Sequence, residues 1–222
     1  MDFDRLKRRQ RLEREGWPNN LGLRVHRALS WLHGAEGLDA QHDLDGRFIC
    51  LWIAFNAAYA TDIEERHRES EQQTFRGFVE KLARLDSEKK RFDALVWQEF
   101  PGSIRVLLDN EYVYADFWRS QNGALPKDAW KCSFEAANRA ARLALGRQDT
   151  VTVLSIVLSR IYTLRNQLIH GGATWGSSVN REQLKDCTNL MARFVPLVIE
   201  VMMDHPETLW GDACYPVVAS AG

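Results

Sequence analysis

The feature that most constrains the fold is the helical period of the apolar residues. Between Arg47 and Thr61, large apolar side chains recur at steps of three and four, at Phe48, Leu51, Trp52, Phe55 and Tyr59. Thr150–His170 and Asn180–Met203 repeat this pattern, and each would present an apolar stripe along a helix. No window of the chain alternates apolar and polar residues as a half-buried strand does. The sequence therefore predicts an all-α protein.

Weaker patterns of the same period predict further helices in Asn20–Gly34, Phe75–Leu85 and Lys127–Gly146. The first fifteen residues carry six Lys or Arg and four acidic residues. This mixed charge favours a solvated helix over an arm that binds nucleic acid.

The expected domain organisation follows from the length of the chain and from the breaks between the predicted helices. None of the Gly- or Pro-containing breaks is long enough to act as a flexible linker between domains. The 222 residues are therefore expected to form a single domain, 1–222. Within it we expect a charged N-terminal segment at 1–19 and a helical elaboration at 71–146, with the mixed-charge run 62–71 as a solvated connector.

Charge and composition exclude some functions. The chain has 29 Lys and Arg against 30 Asp and Glu, a formal net charge of −1. A protein that coats nucleic acid needs a broad basic surface, so this balance leaves room only for a small local site. The four cysteines have no CxxC or other metal-ligand spacing, and we expect no metal and no cofactor.

The sequence also shows no apolar run that is typical of a targeting signal or a membrane span. The first residues lack the apolar run of a signal peptide, and the longest apolar runs reach only about half of a bilayer span. We therefore expect a cytoplasmic protein without a membrane partner.

One segment stands out chemically, at the end of the apolar helix Thr150–His170. Arg165, Asn166 and His170 fall within six residues, and Asn166 and His170 are one helical turn apart on the same face. Gly171 is a typical residue for ending a helix, which would place His170 in the last turn. This arrangement is compatible with a histidine that acts as a general acid or base. It is equally compatible with basic side chains that cap the last carbonyls of their own helix.

With these residues the chain resembles the HEPN superfamily of helical domains. The hallmark of that family is an Arg, a polar residue, three to five further residues and a His at the end of a late helix, which Arg165–His170 matches. The stretches FICLWIAFNAAYA at 48–60 and LRNQLIHGGATW at 164–175 look like the bacterial, Apea-like branch of HEPN proteins. The resemblance implies a HEPN-like helical bundle with a helical insertion in the middle of the chain.

The resemblance also implies an activity. Many HEPN proteins are metal-independent endoribonucleases, acting as toxins or defence effectors, whose homodimers combine the Arg and His of both protomers in one cleft. By this likeness Arg165 would bind the scissile phosphate of RNA, His170 would transfer a proton, and Asn166 would orient His170 or the phosphate. The product would be a 2′,3′-cyclic phosphate, and a minimal nucleotidyltransferase could be the antitoxin. The alternative is a non-catalytic HEPN module that binds a nucleotide or a partner protein.

Three more residues are candidates for binding the substrate. Asn56 interrupts an apolar stripe, so it would either support the Arg/His helix or bond a neighbouring backbone group. Tyr162 lies one turn before Asn166 and would either stack on a base or pack in the core or an interface. Trp175 follows Gly171 and Gly172 and would cover the cleft or serve as a packing anchor.

Overall fold

We describe the protein from a computed structural model, which covers residues 2–39, 42–60 and 71–215. Most of the predicted connector, 62–70, lies outside these ranges. The described residues contain no β-strand. The α-helices are α1 (Asp2–Glu13), α2 (Asn19–Gly37), α3 (Leu44–Tyr59), α4 (Glu71–Leu85), α5 (Arg91–Ala94), α6 (Pro101–Asp109), α7 (Ala115–Gln121), α8 (Ala129–Gly146), α9 (Thr150–Ile169) and α10 (Arg181–Asp204). Short 3₁₀ turns lie at Arg14–Gly16 and Glu111–Val113, and a π-helical turn spans Leu95–Glu99.

The chain forms two compact units. The first contains the described residues of 1–70 and 194–222, and the second contains 71–193. The second unit begins where the helical elaboration was expected to begin, but it also includes α9. The expectation of a single HEPN-like domain remains a prediction.

In the first unit, α2 packs along α3, and α1 packs on α2. The carboxylate of Asp43 caps α3 by accepting the N–H of Gly46 at 3.0 Å, which satisfies one of the free donors of the first turn. The ring of Phe55 stacks on that of Tyr59 with 4.8 Å between the ring centroids, and its centroid lies 5.6 Å from that of Phe194. The apolar residues that recur along α3 thus form its buried face.

A buried arginine fixes the C-terminal segment to the first unit. Arg24 on α2 is fully buried, and its guanidinium donates to the carbonyls of Ala58, Gly211 and Asp212 at 3.0, 3.2 and 2.6 Å. Arg27 donates in the same way to the carbonyls of Cys214 and Tyr215, both at 2.6 Å. Burial lowers the pKa of Arg24, but its hydrogen bonds compensate part of the desolvation.

In the second unit, α9 is the central element. It packs against α4, α6 and α8, and its N-terminus is capped by Asp149, whose carboxylate accepts the N–H of Thr152 at 3.0 Å. The apolar residues predicted to face the core, including Val153, Val157 and Ile161, are fully buried.

The structure confirms the all-α prediction, and α1–α4 and α8–α10 fall close to the predicted segments. The short helices α5, α6 and α7 lie in the expected helical elaboration, where no individual helix was predicted for them. The charged N-terminal segment is helical, but Leu6 and Gln10 are buried, so α1 also packs on the protein. None of the helices in the described ranges is both long and apolar enough to cross a membrane.

Candidate active site

The end of α9 has the geometry that the sequence predicted around Gly171. His170 is the C-cap, and Gly171 has a φ of +72°, in the left-handed region that glycine adopts without strain. The N–H of Gly171 donates to the carbonyl of Leu168 at 3.3 Å, and that of Gly172 to the carbonyl of Gln167 at 2.7 Å. These two bonds form a Schellman motif, which ends the helix and fixes the backbone of His170.

Arg165 is held by its neighbours on the last two turns. Its Nη1 donates to Oδ1 of Asn166 at 2.9 Å, and its guanidinium carbon lies 5.8 Å from the ring centroid of Tyr162. Its Nε is buried without a hydrogen-bond partner. The carboxamide of Asn166 therefore orients Arg165. The guanidinium keeps donors available for an anion.

The imidazole of His170 is exposed and makes no hydrogen bond or ion pair with the described residues. An exposed histidine at a helix end is accessible to a ligand from solvent, and its two ring nitrogens remain available for proton transfer.

A groove of about 790 Å³ runs beside this helix end within the second unit. It lies between α9 and residues of α4, α7 and α8, and three of the predicted site residues line it, namely Tyr162, Asn166 and His170. Arg165 does not line the groove, but it adjoins the groove through its hydrogen bond to Asn166. The structure thus brings Arg165, Asn166, His170 and Tyr162 to one helix end.

Two predicted residues, Trp175 and Asn56, do not line the groove. The side chain of Trp175 is 68% exposed on the segment after the helix. Asn56 is half-buried on α3 in the first unit, whereas the other candidates belong to the second unit.

The groove also contains a charged residue that the sequence analysis did not single out. Arg160 on α9 lines the groove and is only 3% exposed. Its guanidinium carbon lies 4.5 Å from the ring centroid of Tyr114 and 5.3 Å from that of Phe134. Burial lowers its pKa to about 10, with Tyr114 and Asp109 acting in the opposite direction, so the group stays charged at neutral pH.

A stripe of hydroxyl groups accompanies Arg160 along α9. Ser155, Ser159 and Thr163 each donate to the carbonyl four residues earlier, at 2.7, 3.1 and 3.2 Å. These bonds satisfy the hydroxyl donors inside an apolar helix. The sequence carried a signal for this face, because Ser155, Ser159, Thr163, Asn166 and His170 recur at steps of three and four.

One loop carbonyl fixes the rim of the groove. The carbonyl of Tyr112 accepts hydrogen bonds from Trp118 Nε1 at 2.7 Å and from Gln167 Nε2 at 2.6 Å. Because Trp118 and Gln167 both line the groove, these bonds hold α7 against the end of α9.

Within the ranges that the structure describes, His, Cys, Asp and Glu side chains form no group of three or more that could hold a metal ion. Comparison of the chain with protein-family models, with curated proteins and with solved structures finds no match. The functional argument therefore depends on the residues and their geometry.

Proposed function

We propose that the chain is a metal-independent endoribonuclease of HEPN type, a toxin or defence effector that cleaves RNA at the end of α9. The observation that carries the proposal is the convergence beside a groove of Arg165, Asn166 and a His170 imidazole that has no partner in the described part of the chain. A guanidinium for phosphate and a histidine for proton transfer are the groups that RNA cleavage needs, because RNA supplies its own nucleophile.

The proposed reaction is an in-line transesterification. The 2′-hydroxyl attacks the adjacent phosphorus, the P–O5′ bond breaks, and the products are a 2′,3′-cyclic phosphate and a 5′-hydroxyl. His170 takes the proton from the 2′-oxygen or gives one to the departing 5′-oxygen, and solvent water makes the other transfer, so that the proton lost at O2′ is balanced by the one gained at O5′. Arg165 stabilises the negative charge that develops on the phosphorane, and Asn166 keeps that guanidinium in position.

The proposal includes a homodimer, in which each protomer contributes one Arg165 and one His170. Large apolar side chains are exposed in and just after the end of α9: Ile169 is 43%, Trp175 68% and Val179 74% exposed. Apolar surface beside an exposed active-site residue is typical of a surface that a second chain covers. A nucleotidyltransferase antitoxin remains a prediction.

The test is cleavage of a fluorescently labelled, single-stranded RNA by the full chain in the presence of EDTA. We expect Arg165→Ala and His170→Ala to lower the rate by about 100-fold or more, the usual effect of losing a proton-transfer or charge-stabilising group. Arg139→Ala is the matched control, because Arg139 is exposed on α8 and does not line the groove. All three variants should keep the wild-type melting temperature.

Product ends separate the proposed chemistry from others. We expect a 2′,3′-cyclic phosphate and a 5′-hydroxyl, identified by mass spectrometry. Cleavage that persists in His170→Ala, or that leaves a 5′-phosphate, would contradict the mechanism. A folded wild-type protein that cleaves no RNA would favour the non-catalytic binding module.

A further inference from the structure

The second unit contains a buried positive charge that has no hydrogen-bond or ion-pair partner among the described residues. Arg160 makes no hydrogen bond or ion pair with the described residues, and its Nε and Nη1 are fully enclosed without partners. The other fully buried arginine, Arg24, donates to three carbonyls. Arginine is almost never buried without such partners, so Arg160 is an exception within its own chain.

The rings beside Arg160 compensate only part of this burial. Tyr114 and Phe134 lie within cation–π distance of the guanidinium, and their electron-rich faces attract a positive charge. A ring face does not replace a hydrogen-bond acceptor for each N–H group. The nitrogen that is not fully enclosed is Nη2, and this is the donor that Arg160 offers to the groove.

The groove has the size and the walls of a site for a small organic molecule. Its volume of about 790 Å³ lies within the usual range for ligand pockets. Aromatic and aliphatic side chains form much of its lining, among them Phe75, Trp118, Ile156 and Tyr162. The aromatic rings in this lining favour a ligand with a planar, apolar body.

The charged side chains that line the groove indicate how many negative charges the ligand carries. Asp116 also lines the groove, but Arg119 neutralises it in an ion pair of 3.0 Å. Arg160 therefore has no ion-pair partner among the described residues, although Asp109 attracts it from a greater distance. A single negative charge balances it, whereas a dianion such as a phosphate monoester would leave an excess negative charge among apolar walls.

We propose that this groove binds a small planar organic acid with one negative charge, such as an aromatic carboxylate, whose acid group accepts a hydrogen bond from Arg160. The rings of Trp118 and Tyr162, which are partly exposed, hold the ring of the ligand. Binding does not depend on the endoribonuclease activity.

The position of the groove gives this ligand a regulatory role, and this consequence alone rests on the proposed function. Asn166 and His170 line the same groove, so a bound acid lies against the side chains that we assign to RNA cleavage. The ligand is therefore expected to inhibit cleavage.

The test is isothermal titration calorimetry of the full chain with 2-naphthoate, a planar aromatic monoanion, and with its neutral analogue 2-naphthamide. We expect saturable one-to-one binding of the acid, with the amide weaker by about tenfold or more, the value of one charge-assisted hydrogen bond. Arg160→Met should weaken binding of the acid by a similar factor and leave that of the amide nearly unchanged. Arg139→Met, on the exposed face of α8, should bind both probes as the wild type does.

A second variant tests the groove without changing its charge. Ala140 lines the groove from an exposed position on α8, so Ala140→Trp is expected to fill the groove and to abolish binding of 2-naphthoate while the chain stays folded. This variant decides the location of the site even if Arg160→Met fails to fold.

The proposal is overturned if 2-naphthoate does not bind, if the amide binds as tightly as the acid, or if Ala140→Trp binds like the wild type. It is also overturned if adenosine 5′-monophosphate or a short oligouridylate binds more tightly than the acid and depends equally on Arg160, because the groove would then be a nucleotide site. None of these outcomes requires RNA cleavage, so failure of this proposal is distinguishable from failure of the proposed enzyme.

Discussion

Replacing Arg160 by methionine should stabilise the protein, which is the opposite of the usual effect of changing a buried residue. Methionine is unbranched and similar in length, so it fills most of the same space without a charge. Replacing a buried charge by a well-packed apolar side chain often leaves the stability of a protein unchanged or raises it. Arg160 is a strong case because it has no acceptor among the described residues.

The magnitude follows from two opposing contributions. Each pH unit by which a pKa departs from its ordinary value corresponds to about 1.4 kcal/mol, so a pKa lowered to about 10 corresponds to a cost of roughly 3 kcal/mol. The contacts with Tyr114 and Phe134 return about 0.5–1 kcal/mol each. The substitution should therefore raise the free energy of unfolding by about 1–2 kcal/mol.

The assay is urea unfolding followed by circular dichroism at neutral pH. We expect the midpoint to rise by roughly 0.5–1 M with an unchanged slope. Arg139→Met is the control, and since Arg139 is exposed it should change the stability by less than about 0.5 kcal/mol. A loss of stability of about 1 kcal/mol or more in Arg160→Met would refute the reasoning, because it would mean that the guanidinium has partners.

Three further predictions concern the same unit. Gly171→Ala should lower the free energy of unfolding, measured with urea, by about 1 kcal/mol, because a side chain is strained at a φ of +72°. Gly146→Ala at the end of α8 should not lower it in this way. Asp149→Ala should cost about 1 kcal/mol at neutral pH through loss of the N-cap. Because the backbone hydrogen bond to its carboxylate lowers the pKa of Asp149, its contribution is present above about pH 4 and is lost as the pH falls further. Burial raises the pKa of Cys187 to about 12, so a thiol reagent should label exposed Cys132 in the folded protein and Cys187 only after unfolding.

Each of these predictions has an outcome that contradicts it. If Gly171→Ala and Gly146→Ala lower the free energy of unfolding equally, the loss at Gly171 is not caused by its positive φ. A cost at Asp149 that is the same at pH 7 and well below pH 4 would show that its carboxylate is not the stabilising group. Rapid labelling of Cys187 in the folded protein would mean that this region opens readily.

The helices were predictable because an apolar period of three to four residues reports directly which side of a helix is buried. In α3, Phe48, Leu51 and Phe55 are buried as the period requires. The burial of Leu6 in α1 was not predictable. The apolar residues of α1, Phe3, Leu6 and Leu12, are too few among its charges to give a clear periodic signal, so the sequence does not show which of them is buried.

The candidate site was predictable only where its geometry is local. The helix end at Gly171 and the proximity of Arg165 to Asn166 follow from a few consecutive residues, and the sequence indicated both. The environment of Arg160 depends on rings from the segment before α7 and from α8, about 25 to 45 residues away in the chain. A single arginine in an apolar helix does not reveal whether it will meet an acid, a carbonyl or a ring.

The attachment of the C-terminal segment has a consequence for how this protein can evolve. Arg24 and Arg27 hold residues 211–215 by their carbonyl oxygens, and every amino acid, including proline, supplies that same acceptor. These bonds by themselves do not depend on the side chains of the segment, although the Asp212 carboxylate also accepts from Asn20 Nδ2 and Gly211 adopts a φ of +77° that favours glycine. A substitution in this segment can therefore leave the bonds from Arg24 and Arg27 intact, whereas neither arginine can be replaced by a residue with fewer donors without losing some of them.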